Sequence, residues 1–231
     1  MKGTDRMLLL IDDANLEEIK KIYDIFPCDG VTTNPSILKK QGRNPMEVLK
    51  EIKNFLPEGA QLHAQVISKT AEEMLAEAKY MLTQLGDDTF IKVPVTPQGI
   101  KAMKLMEKEN MNITATAIYS PMQAYFAAKA GVRYTAPYVN RLDNMGADGV
   151  GVAKQIHDIF RNQDINADVI AASFKNSQQI LELAKYGIGA VTAAPDVIKS
   201  LLAHDATYNA VEVFTNDFYD LTAKEKTMKD F

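Results

Sequence analysis

The sequence predicts an α/β fold, a closed (β/α)₈ TIM barrel with one additional C-terminal helix. Strand-like and helix-like segments alternate eight times along the 231 residues, and such alternation implies parallel strands joined by right-handed crossovers. The strands are short and rich in Val, Ile, Thr and Ala, which is typical of strands buried on both faces. A doubly wound open sheet is the alternative, but the turn after the first strand, Asp12-Asp13-Ala14-Asn15, lacks the glycines of such folds.

The predicted elements follow one another in strict order. Strands are expected over residues 7–12, 30–34, 61–67, 89–95, 113–119, 134–139, 167–173 and 190–193. The helices that follow them are expected over residues 16–26, 45–56, 70–85, 97–109, 120–130, 149–162, 176–186 and 195–203, and a ninth helix over 208–219 is left over. No linker or low-complexity tract interrupts the series. Residues 1–231 are therefore interpreted as one domain, with a C-terminal helix and tail from about residue 205.

Several helix ends are marked by local signals. Thr70 and Glu73 have the spacing of a capping box, which places a helix start at residue 70. Pro97 suits a first helical turn. Gly131 and Gly187 stand where two helices are expected to end.

Composition argues against several classes of function. The net charge of −4 and the absence of a basic block argue against nucleic acid or an anionic membrane as a partner. The longest apolar run, residues 7–11, is too short to span a bilayer. Residues 2–6 form a short polar leader, and Met7 is a second candidate for the natural start.

Cysteine and histidine usage excludes other kinds of site. Cys28 is the only cysteine, so no intrachain disulfide exists and a reducing cytoplasm is the expected location. We interpret Cys28 as a packed residue rather than a nucleophile. The three histidines lack the spacing of metal ligands, so no metal is expected. Of these, His63 is interpreted as a packed, hydrogen-bonded side chain in the lower barrel.

Lys92 lies in the middle of the apolar strand 89–95. Because side chains alternate along a strand, Ile91 and Val93 face one way while Phe90 and Lys92 face the other. The branched side chains suit packing against helices, so Lys92 is directed into the barrel. An interior ammonium is costly, and burial shifts its pKa towards the neutral amine, a nucleophile that condenses with carbonyls. The alternative is a structural lysine paired with a carboxylate.

Seven of the eight predicted strands carry a polar side chain late in their length. These are Asp12, Asn34, Gln65, Lys92, Thr116, Tyr138 with Asn140, and Ser173. In a barrel, the active site lies at the carboxyl ends of the strands. Polar caps on strand ends would explain Asn34 and Asn15, but not the charges of Asp12 and Lys92, which need a partner inside a barrel. We therefore expect Asp12 to be the partner of Lys92.

Four segments resemble one known family. They are residues 11–12 (ID), 30–36 (GVTTNPS), 91–96 (IKVPVT) and 136–141 (APYVNR). In order and spacing they are similar to the small class I aldolases of the transaldolase superfamily, which comprise fructose 6-phosphate aldolases and short transaldolases. The resemblance extends from about Met7 to the last helix. It implies a barrel that forms a Schiff base on Lys92 and needs no cofactor.

The resemblance also implies which branch is present. Gln65, Tyr138 and Asn140 match the aldolases, whereas transaldolases usually carry glutamate, phenylalanine and glycine at these positions. The implied reaction is cleavage of fructose 6-phosphate to dihydroxyacetone and glyceraldehyde 3-phosphate. A transaldolase is the first alternative. A barrel that binds sugar phosphates without catalysis is an alternative of another class.

The implied roles divide between the two halves of the substrate. Lys92 attacks the carbonyl, and Tyr138 moves a proton with a water held by Gln65 and Thr116. Asp12 is implied to hold donor hydroxyls and assist proton transfer, and Asn34 to orient the donor. The other residues expected to bind the substrate are Thr33 and Asn140, with Arg141, Ser173 and Lys175 for the phosphate. Gln178 departs from relatives, which commonly have an arginine there. The resemblance further implies a homo-oligomer, a pentamer or decamer, in which the C-terminal helix reaches a neighbouring subunit.

Overall fold

The computed structural model describes residues 7–222 and 226–231. The polar leader at residues 2–6 therefore lies outside the described residues, as do residues 223–225 of the C-terminal tail. The strands are β1 (Leu8–Asp12), β2 (Gly30–Thr32), β3 (Gln61–Gln65), β4 (Phe90–Pro94), β5 (Ile113–Ile118), β6 (Tyr134–Pro137), β7 (Asp168–Ala171) and β8 (Ala190–Ala193). They pair in parallel in chain order, and β8 pairs with β1 to close the barrel. The predicted barrel is confirmed.

Helices follow every strand. They are α1 (Leu16–Ile25), α2 (Pro35–Lys40), α3 (Pro45–Phe55), α4 (Ala71–Leu85), α5 (Pro97–Glu107), α6 (Pro121–Lys129), α7 (Val139–Asp143), α8 (Gly149–Asn162), α9 (Ser177–Tyr186), α10 (Pro195–Leu202) and α11 (Asp205–Thr222). A single 3₁₀ turn follows at Met228–Asp230. Within residues 7–222 and 226–231, no helix has both the length and the apolar character needed to cross a membrane.

The local signals correctly placed the helix ends. Thr70 and Glu73 form the predicted capping box at the start of α4. Pro97 occupies the first turn of α5. Gly187 ends α9 in the left-handed conformation, with a φ of 86°, and Gly131 follows α6 with a φ of 91°. These conformations favour glycine because it has no Cβ.

Seven of the eight strands are shorter than expected, only β8 having the predicted range, and the two short helices α2 and α7 were missed. Three of the shortened strands show a local reason. β2 ends at Thr32, since Asn34 caps α2 rather than extending the strand. β6 ends at Pro137, and α7 starts at Val139 where a strand end was predicted. β7 ends at Ala171, and Ala172 still pairs with Tyr138 in an isolated bridge. The extended conformation stops at Ser173, whose φ of 62° does not belong to a strand.

Two apolar layers hold the barrel. The larger layer lies between strands and helices and includes Ile91 and Val93. The smaller layer fills the barrel interior and comprises Leu10, Phe90, Tyr134, Ala136, Ile170 and Ala190. Lys92 lies one inward position beyond Phe90, so the predicted alternation of β4 is confirmed.

The C-terminal helix α11 is longer than predicted, and none of its residues is buried. Its exposed apolar side chains include Tyr208, Val211, Val213, Phe214 and Leu221. A single barrel therefore leaves the apolar side chains of this helix exposed to water.

Candidate active site

Lys92 is directed into the barrel and is only 6% exposed. Its Nζ donates a hydrogen bond to the carbonyl oxygen of Thr33 at 2.7 Å. The expected partner, Asp12, makes its hydrogen bond elsewhere and acts on Lys92 through space. The direct contact of the ammonium is thus a backbone carbonyl, which is supplied where the chain passes from β2 to the cap of α2.

Asp12, the last residue of β1, is held by a threonine pair. Thr32 Oγ1 donates to Asp12 Oδ1 at 2.8 Å. Thr32 Oγ1 also lies 2.6 Å from Thr192 Oγ1. Because the single hydroxyl proton of Thr32 goes to Asp12, Thr192 is the donor in the second bond. Sequence reasoning missed Thr192, which is the polar residue on β8, the one strand for which none was proposed.

Burial is the largest influence on the protonation states of Lys92 and Asp12. Loss of water around Lys92 lowers its pKa, and the positive charge of Arg141 lowers it further, while Asp12 opposes both. Burial likewise raises the pKa of Asp12, which the Lys92 charge and the Thr32 hydrogen bond partly offset. Each shift favours the neutral form, because a charge is disfavoured where water is excluded. Lys92 is therefore a nucleophilic amine at lower pH than an ordinary lysine.

Tyr138 and Thr116 form a hydroxyl pair near the carboxyl ends of β5 and β6. The Tyr138 phenol oxygen lies 3.0 Å from Thr116 Oγ1. Thr116 is fully buried, whereas Tyr138 is half-buried. A phenol in this position can donate or accept a proton.

Arg141 and Tyr119 surround the phenol. The Arg141 guanidinium lies over the Tyr138 ring, 4.3 Å from its centroid. Tyr119 meets the same ring edge-on, with centroids 5.5 Å apart. Tyr119 was not predicted as a site residue. Strict alternation along β5 would place it outside the barrel.

The next three predicted site residues lie at the end of β3 and in the segment between β2 and α2. Gln65 is the register partner of Lys92 on β3 and is half-buried. Asn34 uses its Oδ1 to accept from the amides of Ser36 and Ile37 at 3.0 and 3.1 Å, so only its Nδ2 remains to orient a ligand. The Thr33 side chain donates to the His63 carbonyl oxygen at 3.0 Å. Thr33 therefore contacts Lys92 through its backbone carbonyl oxygen and not through its hydroxyl.

The residues expected to bind phosphate lie on and beside α7 and the loop after β7. The Asn140 amide donates to the Ser173 carbonyl oxygen at 2.7 Å, which joins the two segments. Lys175 and Arg141 are both exposed. Gln178 is exposed on α9, where its Nε2 donates to Glu182 Oε1 at 3.2 Å. Two cations thus border this side of the barrel mouth.

His63 lies inside the barrel on the amino-terminal side of Lys92, in a layer with Phe90, Thr114 and Gln61 that forms the barrel floor. It is fully buried and stacks on Phe90, with ring centroids 4.5 Å apart. Its nitrogens lie 2.9 Å from Thr114 Oγ1 and 3.1 Å from Gln61 Oε1. Burial, with a smaller effect from Lys92, lowers its pKa well below the usual range and keeps it neutral. The packed, hydrogen-bonded interpretation of His63 is confirmed.

A separate cavity of about 520 Å³ lies beyond this floor, at the opposite end of the barrel. Gln61 and Tyr134 line it, but none of the predicted site residues does. Cys28 also lines it, and burial raises the pKa of its thiol to about 11. The thiol is therefore a poor nucleophile, as the sequence indicated. Among the described residues, no group of three or more His, Cys, Asp or Glu side chains is arranged to hold a metal ion.

Comparison with known proteins identifies relatives along the whole barrel. The family model described as transaldolase/fructose-6-phosphate aldolase matches residues 9–230. A probable fructose-6-phosphate aldolase of Streptococcus pneumoniae is 41% identical over 92% of this chain and 96% of its own length. A probable transaldolase of Nitrosopumilus maritimus is 37% identical over 96% of this chain and 100% of its own. A probable transaldolase of Caldicellulosiruptor saccharolyticus is 39% identical over 94% of this chain and 100% of its own length.

The relatives carry both names at similar identity, so they fix the family and not the branch. The family match agrees with the closed barrel and with the resemblance that the four sequence segments indicated. The chain therefore belongs to the transaldolase/fructose-6-phosphate aldolase family of enzymes.

Proposed function

We propose that the protein is a cytoplasmic, Schiff-base aldolase that reversibly cleaves fructose 6-phosphate to dihydroxyacetone and glyceraldehyde 3-phosphate. The observation that carries this proposal is Lys92, a buried amine with a lowered pKa inside a barrel. Asp12 acts on it through space, and the hydroxyl pair of Thr116 and Tyr138 lies at the same end of the barrel. This set provides a nucleophile and a proton carrier.

The proposed reaction begins at the substrate carbonyl. The Lys92 amine adds to C2, and loss of water gives a protonated imine. Tyr138, with a water held by Gln65 and Thr116, removes the proton of the C4 hydroxyl. The bond between C3 and C4 then breaks, its electron pair moves into the imine to form an enamine, and the aldehyde leaves. Protonation of the enamine at C3 and hydrolysis of the imine release dihydroxyacetone and regenerate Lys92.

The remaining side chains would bind the two halves of the substrate. Asp12 would hold donor hydroxyls and assist proton transfer, Asn34 would orient the donor, and Thr33 and Asn140 would add further contacts to the substrate. Arg141, Ser173 and Lys175 would receive the phosphate at the mouth. An arginine at such a position suits phosphate because its planar donors match the phosphate oxygens.

The second candidate is a transaldolase, which would hold the same enamine and transfer it to a sugar-phosphate acceptor. The names of the relatives favour neither branch, but Tyr138 and Gln65 support the aldolase, since a phenol can act on the proton directly. The test is incubation of the protein with fructose 6-phosphate, with and without erythrose 4-phosphate, followed by product identification. Free dihydroxyacetone without an acceptor supports the aldolase. Turnover only when erythrose 4-phosphate is present would identify a transaldolase.

A catalytically silent sugar-phosphate sensor is the candidate of another class. Retention of Lys92 together with Asp12, Thr116 and Tyr138 argues against it, because a sensor needs no buried nucleophile. Borohydride reduction in the presence of dihydroxyacetone separates the two. A covalent adduct on Lys92 supports the enzyme, and its absence would favour the sensor.

Gln178→Arg should strengthen phosphate binding. The change adds a cation at the start of α9, and a charge-assisted hydrogen bond is worth roughly 1.5–3 kcal/mol. We expect the KM for the phosphorylated aldehyde to fall, with little change for an unphosphorylated one. Steady-state kinetics with both aldehydes measure this. Gln163→Arg, which adds the same charge after the far end of α8, is the matched control.

An unchanged ratio between the two aldehydes in Gln178→Arg would contradict this prediction. It would mean that Arg141, Ser173 and Lys175 already saturate the phosphate, or that the phosphate binds elsewhere.

The proposed assembly is a homo-oligomer, a pentamer or decamer, in which α11 packs on a neighbouring subunit. The exposed apolar face of α11 supports this, since an apolar helix without buried residues is unstable in water. Truncation after Asp205 should reduce the oligomer to smaller species while the barrel still unfolds cooperatively. Light scattering and thermal unfolding measure the two properties.

The matched control for this truncation is truncation after Thr222, which keeps the helix and should keep the oligomer. If truncation after Asp205 leaves the subunit number unchanged, α11 does not hold the subunits together. In that case it would fold back on its own barrel.

A further inference from the structure

Strand β5 contains an irregularity beside the proposed site. Its register with β6 shifts between Ala115 and Ile118, and Ala117 has a φ of 58°. A residue with a side chain rarely adopts this left-handed conformation. Such bulges redirect side chains near functional sites, and backbone strain of this kind is often retained there.

The bulge reverses the faces on which the side chains of Ile118 and Tyr119 lie. Strict alternation after Thr116 would turn Ile118 into the barrel and Tyr119 outwards. Instead, Ile118 is fully buried in the outer apolar layer, and Tyr119 reaches the mouth, where it contacts Tyr138 and Arg141. The irregular backbone at Ala117 thus brings Tyr119 to the site.

Tyr119 is fixed in this position from its C-terminal side. Its amide donates to Gln123 Oε1 at 2.9 Å. Ser120 and Gln123 form a capping box at the start of α6, which holds the same segment. The backbone that carries the Tyr119 ring is therefore held in place, so less freedom is lost when the ring contacts its neighbours.

Three contacts join Tyr119, Arg141 and Tyr138 in a closed set. Arg141 Nη1 donates to the Tyr119 hydroxyl at 3.5 Å. The guanidinium lies 4.3 Å over the Tyr138 ring, and the Tyr119 ring meets Tyr138 at 87°. Cation–π and edge-to-face contacts are both favourable in this geometry. Arg141 is itself exposed, so without these contacts its long side chain would sample many rotamers.

We propose that Tyr119 is a positioning residue, which holds the Arg141 guanidinium over Tyr138 so that it meets the phosphate of the substrate already oriented. This inference rests on the proposed function. The Tyr119 hydroxyl uses one donor nitrogen of Arg141 and leaves the others for phosphate oxygens. The Tyr119 ring, in turn, supports the Tyr138 phenol beside Thr116. The hydroxyl therefore acts on substrate binding, and the ring acts on the proton-transfer step.

The test separates the hydroxyl from the ring. In Tyr119→Phe, the KM for fructose 6-phosphate and for the phosphorylated aldehyde should rise about three- to tenfold, the scale of one net hydrogen bond. The kcat, and the KM for an unphosphorylated aldehyde, should not change. In Tyr119→Leu, kcat should fall as well, because Tyr138 loses its supporting ring. Tyr80→Phe, at an exposed tyrosine on α4, is the matched control and should match the parent.

A double substitution identifies the route of the effect. In the Arg141→Met background, Tyr119→Phe should add no further rise in KM, since the hydroxyl acts through the guanidinium. Thermal unfolding of each variant shows whether a rise in KM is instead due to a loss of stability. Inorganic phosphate binding, measured by calorimetry, gives a readout that needs no turnover, and its Kd should rise in Tyr119→Phe.

The inference would be overturned if Tyr119→Phe left both KM and phosphate affinity unchanged, or affected phosphorylated and unphosphorylated aldehydes equally. This failure is distinct from failure of the proposed function. If the parent protein does not cleave fructose 6-phosphate, the proposed function is wrong. The affinity for inorganic phosphate, measured by calorimetry in the parent and in Tyr119→Phe, would still test the role of Tyr119.

Discussion

Lys92→Met is expected to abolish carbon–carbon cleavage and to leave the barrel folded. Methionine fills a similar volume but has no amine, so no imine can form. Cleavage of fructose 6-phosphate, followed by release of dihydroxyacetone, measures the loss. Borohydride reduction and mass spectrometry should find an adduct on Lys92 in the parent and none in the variant. Lys104→Met, at an exposed lysine on α5, is the control and should retain full activity.

An adduct that still forms in Lys92→Met, at another lysine, would contradict the assignment of the nucleophile. So would cleavage at a rate near that of the parent. Either result would leave the buried amine as a structural feature of the barrel.

The same variant tests the lowered pKa of Lys92. Burial lowers this pKa in the folded protein below the ordinary 10.5, so between the two values the unfolded chain binds more protons than the folded one. The free energy of unfolding of the parent should therefore rise with pH in this window. Lys92→Met should lack this rise, and the difference between parent and variant isolates it from other titrations. A constant difference across the window would mean that the Lys92 pKa is not lowered.

Tyr138→Phe is expected to slow aldol cleavage by about 10²-fold or more, which is the scale of a general acid–base group. The ring remains, so its contacts with Arg141 and Tyr119 should persist. Imine formation takes place at Lys92 and should continue, so borohydride should still trap the donor. The combination of slow cleavage with intact trapping assigns Tyr138 to the proton-transfer step. Tyr80→Phe serves again as the control.

Equal cleavage rates in Tyr138→Phe and the parent would remove the phenol from the mechanism. Loss of trapping together with cleavage would instead indicate a disturbed site. Transfer to erythrose 4-phosphate should survive the substitution better than cleavage, because the resemblance implies that transaldolases work with phenylalanine at this position.

Much of the barrel could be predicted because its signals are local. The alternation of β4 placed Lys92 inside and Ile91 outside, since side chains of any strand take opposite faces. The capping box of Thr70 and Glu73 was predictable because its partners are three residues apart. The sequence could not separate Asn34 as a strand end from Asn34 as a helix cap, since both uses favour the same residue.

Contacts between distant segments were decided by the tertiary structure alone. Thr192 meets Thr32 only because β8 closes against β1. The partner of the Lys92 ammonium is the Thr33 carbonyl oxygen, and a backbone acceptor leaves no mark on residue identity. Charge pairing suggested Asp12, whose effect on Lys92 is through space.

By itself, the sequence determined the (β/α)₈ barrel, the inward lysine and the strand ends that carry polar groups, because periodicity and capping act within a few residues. The tertiary structure decided how those groups meet. The bulge at Ala117 depends on the register between β5 and β6, and it brings Tyr119 to a mouth from which alternation would exclude it. Register and closure arise from pairing across the whole chain, so a single segment cannot encode them.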